Sequence, residues 1–539
     1  MPSLFSMILN TIAVSPLGAF QPSGDLAARL QLNFNRLEEE KYQPENVFQR
    51  EKEANNWPGD TEGRTVLALV LLAQATGRQP KYLDAILQRW PREVNEHGYF
   101  GTIHPSGVIS EQQLSGHGWV LRALSELERW KPRGPARALA EPILENLILP
   151  TAGYHREYPL DPQLRAAKGS YSGTQLGRSG AWILSTDVGC DFICLDGIVD
   201  AYDVFRDARL APIIEEMIAR FLQFDLVAGK AQTHATLTCC RALLRYAEIS
   251  GSARLIDEVR QRFDLYRQLA WTEHYANFNW FGRPEWTEPC AIVDSLMVAI
   301  GLWQRTHAAS YLADAQHIYF NALAHAQRVN GGFGCDNCPG ADGEDDLFFK
   351  LFEAHWCCTM RGGEGLARMA QYNIFRTGDA VVLPFVLSGG MNDPDWTLSI
   401  ESTYPEAWGA TLHFVPRPSA NVSQLVLYIP PWVEGVEATN TSDASRAVKM
   451  TMRGDDPWLR LPVDKWEGRW SVTGRFKEGT RPSVNPAAAK KPRVAKYRGP
   501  LLLGETPLGS GKLEPIFGAY KTSALTPETS HRRLLWSET

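Results

Sequence analysis

From about residue 24 to 376, apolar side chains recur at three- and four-residue steps, and short turns break the pattern at regular intervals. That period marks helices with one buried face. Residues 65–75 lead through Thr76-Gly77-Arg78 into 82–90, and 112–130 lead through Pro132-Arg133-Gly134 into 136–149. Residues 191–205 turn at Arg206-Asp207 into 210–224, 234–249 turn at Ser250-Gly251 into 254–269, and 290–304 turn near His307 into 310–329. These are five helical hairpins of similar design, and pairing 24–40 with 363–374 makes a sixth. A hairpin that cannot bury a face alone must stack on its neighbours. Six can close into a ring, an (α/α)6 helical barrel; an open helical solenoid is the alternative.

After about residue 380 the period changes to two. Short alternating runs cover 380–386, 397–403, 411–415, 424–428, 448–452, 458–463, 470–476 and 494–503, separated by Pro, Gly, Asp and Asn clusters. Many short strands with frequent turn signals predict a β-sandwich. The fold class expected is therefore α+β multidomain: an (α/α)6 barrel over 1–379, followed by a C-terminal β-sandwich over 380–539. The linker lies near Thr377-Gly378-Asp379, and the tail after Lys512 carries few strong signals.

The length of 539 residues leaves room for three or four domains, or for one large barrel with additions. A formal charge of −6 argues against a nucleic-acid or anionic-membrane partner, whose footprint would be basic. The longest apolar stretch, 66–73, is far short of the roughly 18 residues that a membrane helix needs. Residues 1–20 hold no Lys or Arg, and Asn10 interrupts their apolar run, so they read as mature structure rather than a secretory signal. Seventeen Trp, 17 Tyr and 22 Phe would suit flat apolar ligand faces such as sugar rings, and equally a large core. The nine cysteines, at 190, 194, 239, 240, 290, 335, 338, 357 and 358, are odd in number and include two adjacent pairs. Vicinal cysteines rarely close a disulfide on each other, so a reducing, cytoplasmic setting with free or metal-bound thiols is expected.

The strongest local feature is His355-Trp356-Cys357-Cys358. Its bland reading is two small buried side chains. The sharper reading joins it to Glu288-Pro289-Cys290, because Glu288, Cys290, Cys357 and Cys358 would fill a tetrahedral zinc site. Cys335-Asp336-Asn337-Cys338 competes as a half-site of its own, a labile disulfide or a structural turn. Asp60-Thr61-Glu62-Gly63 opens a helix, so its two acids serve either the helix dipole or the rim of the barrel. Gly343-Glu344-Asp345-Asp346 lacks calcium-loop spacing and reads as a solvated loop.

These segments resemble glycoside hydrolase family 127, the β-L-arabinofuranosidase family, and its wider clan. TEPCAIVDSLMVAIGLW is similar to the family's E-x-C element, and HWCCTMRGGEGLARM to its C-C element. IYFNALAHA, HGYFGT with SGHGWVLRAL, QLVLYIPPWVEG, LRLPVDKWEGRW and AKYRGPLLLGE resemble further helices and strands, so the likeness runs from about 17 to 505. The resemblance implies one Zn2+ on Glu288, Cys290, Cys357 and Cys358, with Cys357 as the nucleophile of a retaining exo-glycosidase. That is an exception to the usual carboxylate pair. It implies Glu273, fifteen residues before Glu288, as the acid/base, with Glu285 in reserve. It implies His117, His234 and His355 as contacts to sugar hydroxyls, converging on one cavity. The implied partner is a terminal L-arabinofuranose or related sugar of plant-type glycans, with a homodimer left open.

The chain departs from the family pattern at Gly189-Cys190-Asp191, at Gln316 and at Thr359-Met360-Arg361-Gly362-Gly363, which bears on sugar specificity. Two rival functions are a non-catalytic, zinc-stabilised carbohydrate-binding protein and a polysaccharide lyase on the same barrel.

Overall fold

A computed structural model describes residues 12–48, 57–165, 172–341, 344–417, 421–440, 449–451, 456–463, 468–484, 492–521, 526 and 529–537. Residues 1–11 of the expected N-terminal segment, Gly343 of the acidic loop, and residues 448 and 452 of one expected strand lie outside these.

The helices form as pairs. They are α1 Gly24–Arg36, α2 Asp60–Thr76, α3 Leu83–Arg89, α4 Glu111–Trp130, α5 Ala136–Ile143, α6 Asp191–Phe205, α7 Ala211–Leu222, α8 Thr233–Ser250, α9 Ala253–Leu269, α10 Pro289–Thr306, α11 Ser310–His317 and α12 Cys358–Gln371. A π-helical stretch, Ile318–Leu323, prolongs α11 to Ala324–Ala326. The long helices α2 and α8 stop where Gly77 and Gly251 take a left-handed conformation, which glycine reaches without strain.

Six helices form a closed cycle: α2 packs on α4, α4 on α6, α6 on α8, α8 on α10, α10 on α12, and α12 back on α2. These inner helices are buried on nearly every side, whereas α9 buries only Leu255, Val259, Phe263 and Tyr266 along one stripe. That difference separates an inner layer from an outer one. The inner helices touch backbone to backbone where the sequence supplies glycine. A Cβ on Gly197 of α6 would lie 2.1 Å from the Gly118 carbonyl oxygen of α4.

The inner faces also carry charge. Arg122 pairs with Asp196 at 2.5 Å and Glu364 at 2.8 Å, and Asp294 pairs with Arg241 and Arg361 at 2.5 Å each. All are buried. Such groups persist in a core only when each has a partner, so the network fixes the relative setting of α4, α6, α8, α10 and α12.

Three larger sheets lie mostly after residue 374. One orders Ala13–Val14, Phe375–Thr377, Ala380–Leu383, Gln424–Tyr428 and Trp458–Pro462. A second runs Lys449–Thr451, Val433–Asn440, Gly468–Phe476, Gly409–Pro416, Trp396–Ser402, Gly389–Asn392 and Phe20–Pro22. The third is built around Glu478–Pro482, Arg493–Arg498 and Leu501–Glu505, and takes in Asp346–Leu347. Strands from the N-terminal segment and from the 346 region thus join sheets made mainly of late residues. The 379/380 boundary falls in the turn between two paired strands.

One local expectation is corrected. Asp345 is not merely solvated: it forms an ion pair with Arg493, and its carbonyl accepts from Leu534 N–H at 2.9 Å. For the tail, whose sequence carries few strong signals, the structure adds anchors: Phe517 O accepts from buried Arg29 at 2.7 Å and Tyr520 donates to Asp25 at 2.6 Å. Among the described residues, no helix is long and apolar enough to cross a membrane.

Candidate active site

A cavity of about 370 Å3 opens where the N-terminal ends of α2, α8, α10 and α12 converge. Asp60, Thr61 and Arg64 enter it from α2, His234 from α8, Glu288 from the start of α10, and Trp356, Cys357 and Cys358 from the start of α12. Helix N-termini present unpaired N–H groups and positive dipole ends, which favour anionic side chains there.

Glu288 caps α10, with Pro289 at the first helical position. The Glu288 N–H donates to Asn277 Oδ1 at 3.0 Å, which ties the cap to the loop before it. Cys290, in the first turn, lies 3.9 Å from Cys358 sulfur to sulfur, and Cys357 lies 3.3 Å from Cys358. Ligand atoms of Cys290, Cys357 and Cys358 fall within 4.8 Å of one another, as do those of His234, Glu288 and Cys290. Sulfurs about 2.3 Å from a tetrahedral zinc would be about 3.8 Å apart, close to the separations found here.

The surroundings also suit a cation. Glu288 Oε2 is buried without a hydrogen-bond partner. Burial, with the Asp187 charge adding to it, pushes the Glu288 carboxyl up to about 8. Burial likewise holds the Cys290 thiol well above its usual range. A dication is what would turn this protonated cluster into ligands. Arg64 donates to the Cys290 sulfur at 3.3 Å, so some positive charge is already built in. Cys290, Cys357 and Cys358 are therefore placed to hold a metal ion, with Glu288 and His234 grouped separately with Cys290 beside them.

His234 lies in the cavity wall. Its Nδ1 bonds Asp294 at 2.7 Å, its ring stacks on Trp119 at 5.7 Å, and its Nε2 is buried with no partner. Burial lowers its pKa to about 4, so the ring is neutral at pH 7. With the Nδ1 proton given to Asp294, Nε2 offers a lone pair to a ligand.

The other expected residues do not meet there. His117 is buried in α4 with both nitrogens used: Nδ1 bonds Gln113 O at 2.7 Å, and Nε2 accepts from Phe100 N–H at 3.0 Å. It is a satisfied core histidine that lines no part of the cavity. His355 is also outside the cavity wall; its carbonyl accepts from Tyr42 Oη at 2.9 Å, and its ring meets Trp356 edge-on.

Glu273 is turned to the third sheet. Its Oε2 accepts from Ser483 Oγ at 2.9 Å and Val484 N–H at 3.0 Å, and Arg481 stands 3.8 Å from Oε1. The sheet strand Glu478–Pro482 and the residues after it supply anchors that the local sequence around Glu273 could not reveal. Glu285 is exposed and pairs with Arg283. Cys335 lines the cavity, while the Cys338 thiol donates to Asn277 O at 3.9 Å.

Sequence reasoning missed Asp187, Trp57, Asn279, Trp286 and Lys350, all in the wall. Asp187 lies four residues before α6, not at the cap where Glu288 stands in α10, so its place ahead of a hairpin was the one signal for it. A second buried cluster, His274, His325 and Asp336, has its carboxylate already matched by Arg328 at 2.7 Å.

No family model matches the sequence, and no curated protein matches it. Solved structures do. A GH127 β-arabinofuranosidase superposes with a TM-score of 0.67 at 13% identity, covering 92% of this chain and 85% of that one. The chain has the GH127 fold. A GH127 β-L-arabinofuranosidase from Geobacillus stearothermophilus T6 gives 0.64 at 13% identity over 90% and 86%, and a glycoside hydrolase gives 0.66 at 12% over 92% and 83%. The shared fold extends across the helical ring and the sheets together.

Proposed function

We propose that the protein is a retaining exo-glycosidase in which Cys357 is the nucleophile, acting on a terminal L-arabinofuranoside or a related plant-derived sugar. In this reading the closed helical cycle is an (α/α)6 barrel carrying the site, and the late sheets form a β-sandwich domain packed on it. The observation that carries the proposal is the meeting of the Cys290, Cys357 and Cys358 thiols, the last two lining one cavity with Glu288, in a chain with the GH127 fold.

Zinc, when bound by Glu288, Cys290, Cys357 and Cys358, would keep the thiols ionised near pH 7 and temper their basicity. Cys357 is the only one of the three that is half-exposed rather than buried, which suits it to meet a sugar. Its sulfur attacks the anomeric carbon, and the bond to the leaving oxygen breaks. His234 Nε2 accepts a hydrogen bond from a sugar hydroxyl, with Asp294 fixing the tautomer. Trp57, Trp286 and Trp356 offer apolar walls to the ring faces and exclude water.

The rival, a zinc-stabilised carbohydrate-binding protein, is favoured by one observation: Glu273 lies away from the cavity. An array of chromogenic pentosides and deoxyhexosides, assayed with and without chelator, separates the two. Chelator-sensitive release with retained configuration supports the enzyme; binding without turnover across the array supports the rival.

A further inference from the structure

With Glu273 anchored to the third sheet, the cavity wall holds three carboxylates: Asp60, Asp187 and Glu288. Asp60 is matched by Arg64 at 2.8 Å within its own helix. Glu288 is grouped with His234 and Cys290. Asp187 remains, and its setting differs from both. Ser172 Oγ donates to its carboxylate at 2.9 Å, Gly173 N–H at 2.8 Å and the Trp280 indole at 3.1 Å. All three donors are neutral, so none forbids a protonated state, and the Ser172 hydroxyl can turn to accept when Asp187 carries the proton.

The ring order adds the second argument. Asp187 lies in the loop four residues ahead of the entrance of α6, and Cys357 at the entrance of α12. Counting around the cycle α2, α4, α6, α8, α10 and α12, these entrances are three helices apart in either direction. A retaining glycosidase needs its nucleophile and its proton donor on opposite sides of the scissile bond.

We infer that Asp187 is the general acid/base of this site, a role resting on the glycosidase reading above. In the first step the Asp187 proton passes to the leaving oxygen as the Cys357 sulfur bonds the anomeric carbon and the carbon–oxygen bond breaks. In the second, the Asp187 carboxylate takes a proton from water, the water oxygen bonds the anomeric carbon, and the carbon–sulfur bond breaks with its electrons returning to Cys357. Burial raises the Asp187 pKa from its ordinary value, in the direction the first step requires. The charged and titratable groups that act on or respond to it are Arg165, which lowers it, together with Glu288 and Cys190.

The test is Asp187→Asn in the full chain. Expected is a fall in kcat/KM of about 10²–10⁴ on an unactivated pentoside. A dinitrophenyl pentoside, whose leaving group needs no proton, should still give a burst of phenol followed by a stall. Azide should restore turnover and yield a glycosyl azide of retained configuration, and zinc content should match wild type. Asp187→Glu guards against misfolding: it should recover part of the activity with an altered pH profile. Losses equal for both leaving groups and unrescued by azide in a folded, zinc-loaded variant would overturn the assignment, as would unchanged activity. Wild-type protein inert toward every glycoside would remove the functional reading itself, and this assignment with it; active wild type with unaltered Asp187→Asn removes only the assignment.

Discussion

Asp294→Asn tests how far the buried charge network supports the site. Asp294 is wholly buried and bonds Arg241 and Arg361 at 2.5 Å, His234 Nδ1 at 2.7 Å and Thr238 Oγ1 at 2.9 Å. Asparagine can keep its oxygen on the two guanidiniums and turn its amide to His234 and Thr238, but it removes the negative charge that matches both arginines. Arg241 then keeps Asp196 at 3.1 Å and Glu364 at 3.5 Å as counter-charges, and Arg361 keeps Glu364. Removing one member of a buried ion pair costs about 3–5 kcal/mol. Asp196 and Glu364 offset part of that, so about 3 kcal/mol is expected.

The pH dependence gives a sharper check. The two guanidiniums hold the Asp294 pKa well below the ordinary carboxylate value of about 3.9. A depressed folded-state pKa contributes stability that is full above the unfolded value and lost as pH falls through the folded one. Denaturant midpoints for wild type and variant should therefore lie far apart at pH 7 and draw together below about pH 4. His234 also loses the acceptor that sets its tautomer, so substrate affinity should fall with stability. Asp203→Asn, which removes an outer ion pair of Arg129 at 3.1 Å, should cost less than about 1 kcal/mol. An Asp294→Asn midpoint within experimental error of wild type at pH 7 would refute the reasoning.

Elemental analysis of protein purified without added metal should find one zinc per chain. Cys358→Ser should lose zinc and activity in step, and a metal-free, folded, active protein would remove the metal site. Glu273→Gln should lower thermal stability, through its bonds to Ser483 and Val484, while leaving the ratio of rates on activated and unactivated glycosides unchanged; selective loss on the unactivated substrate would return the acid/base role to Glu273.

Sequence periodicity served best where burial is continuous. The paired helices 191–205 and 211–222 lie within a residue or two of the expected runs, because glycine, proline and charged turns punctuate them. The strand Val433–Asn440 was missed: its Gly435 and the register shift between Glu434 and Glu437 break the alternation that would mark it. The run 494–503 divides at Gly499-Pro500 into two antiparallel strands. In the site, Cys290, Cys357, Cys358 and Glu288 were legible because their types are rare in such spacing. Glu273 and His117 were not, since each owes its surroundings to distant chain: Ser483 for one, and the Phe100 turn for the other.

The central claim is that a cysteine sulfur takes the sugar. An aryl 2-deoxy-2-fluoro-L-arabinofuranoside, which slows both steps, should leave one fluorosugar on wild-type protein. Rapid quench, digestion and peptide mapping by mass spectrometry would locate it. The account predicts a thioglycoside on Cys357, absent in Cys357→Ser. An adduct on Asp60, Asp187 or Glu288, or turnover with inverted configuration and no adduct, would contradict it.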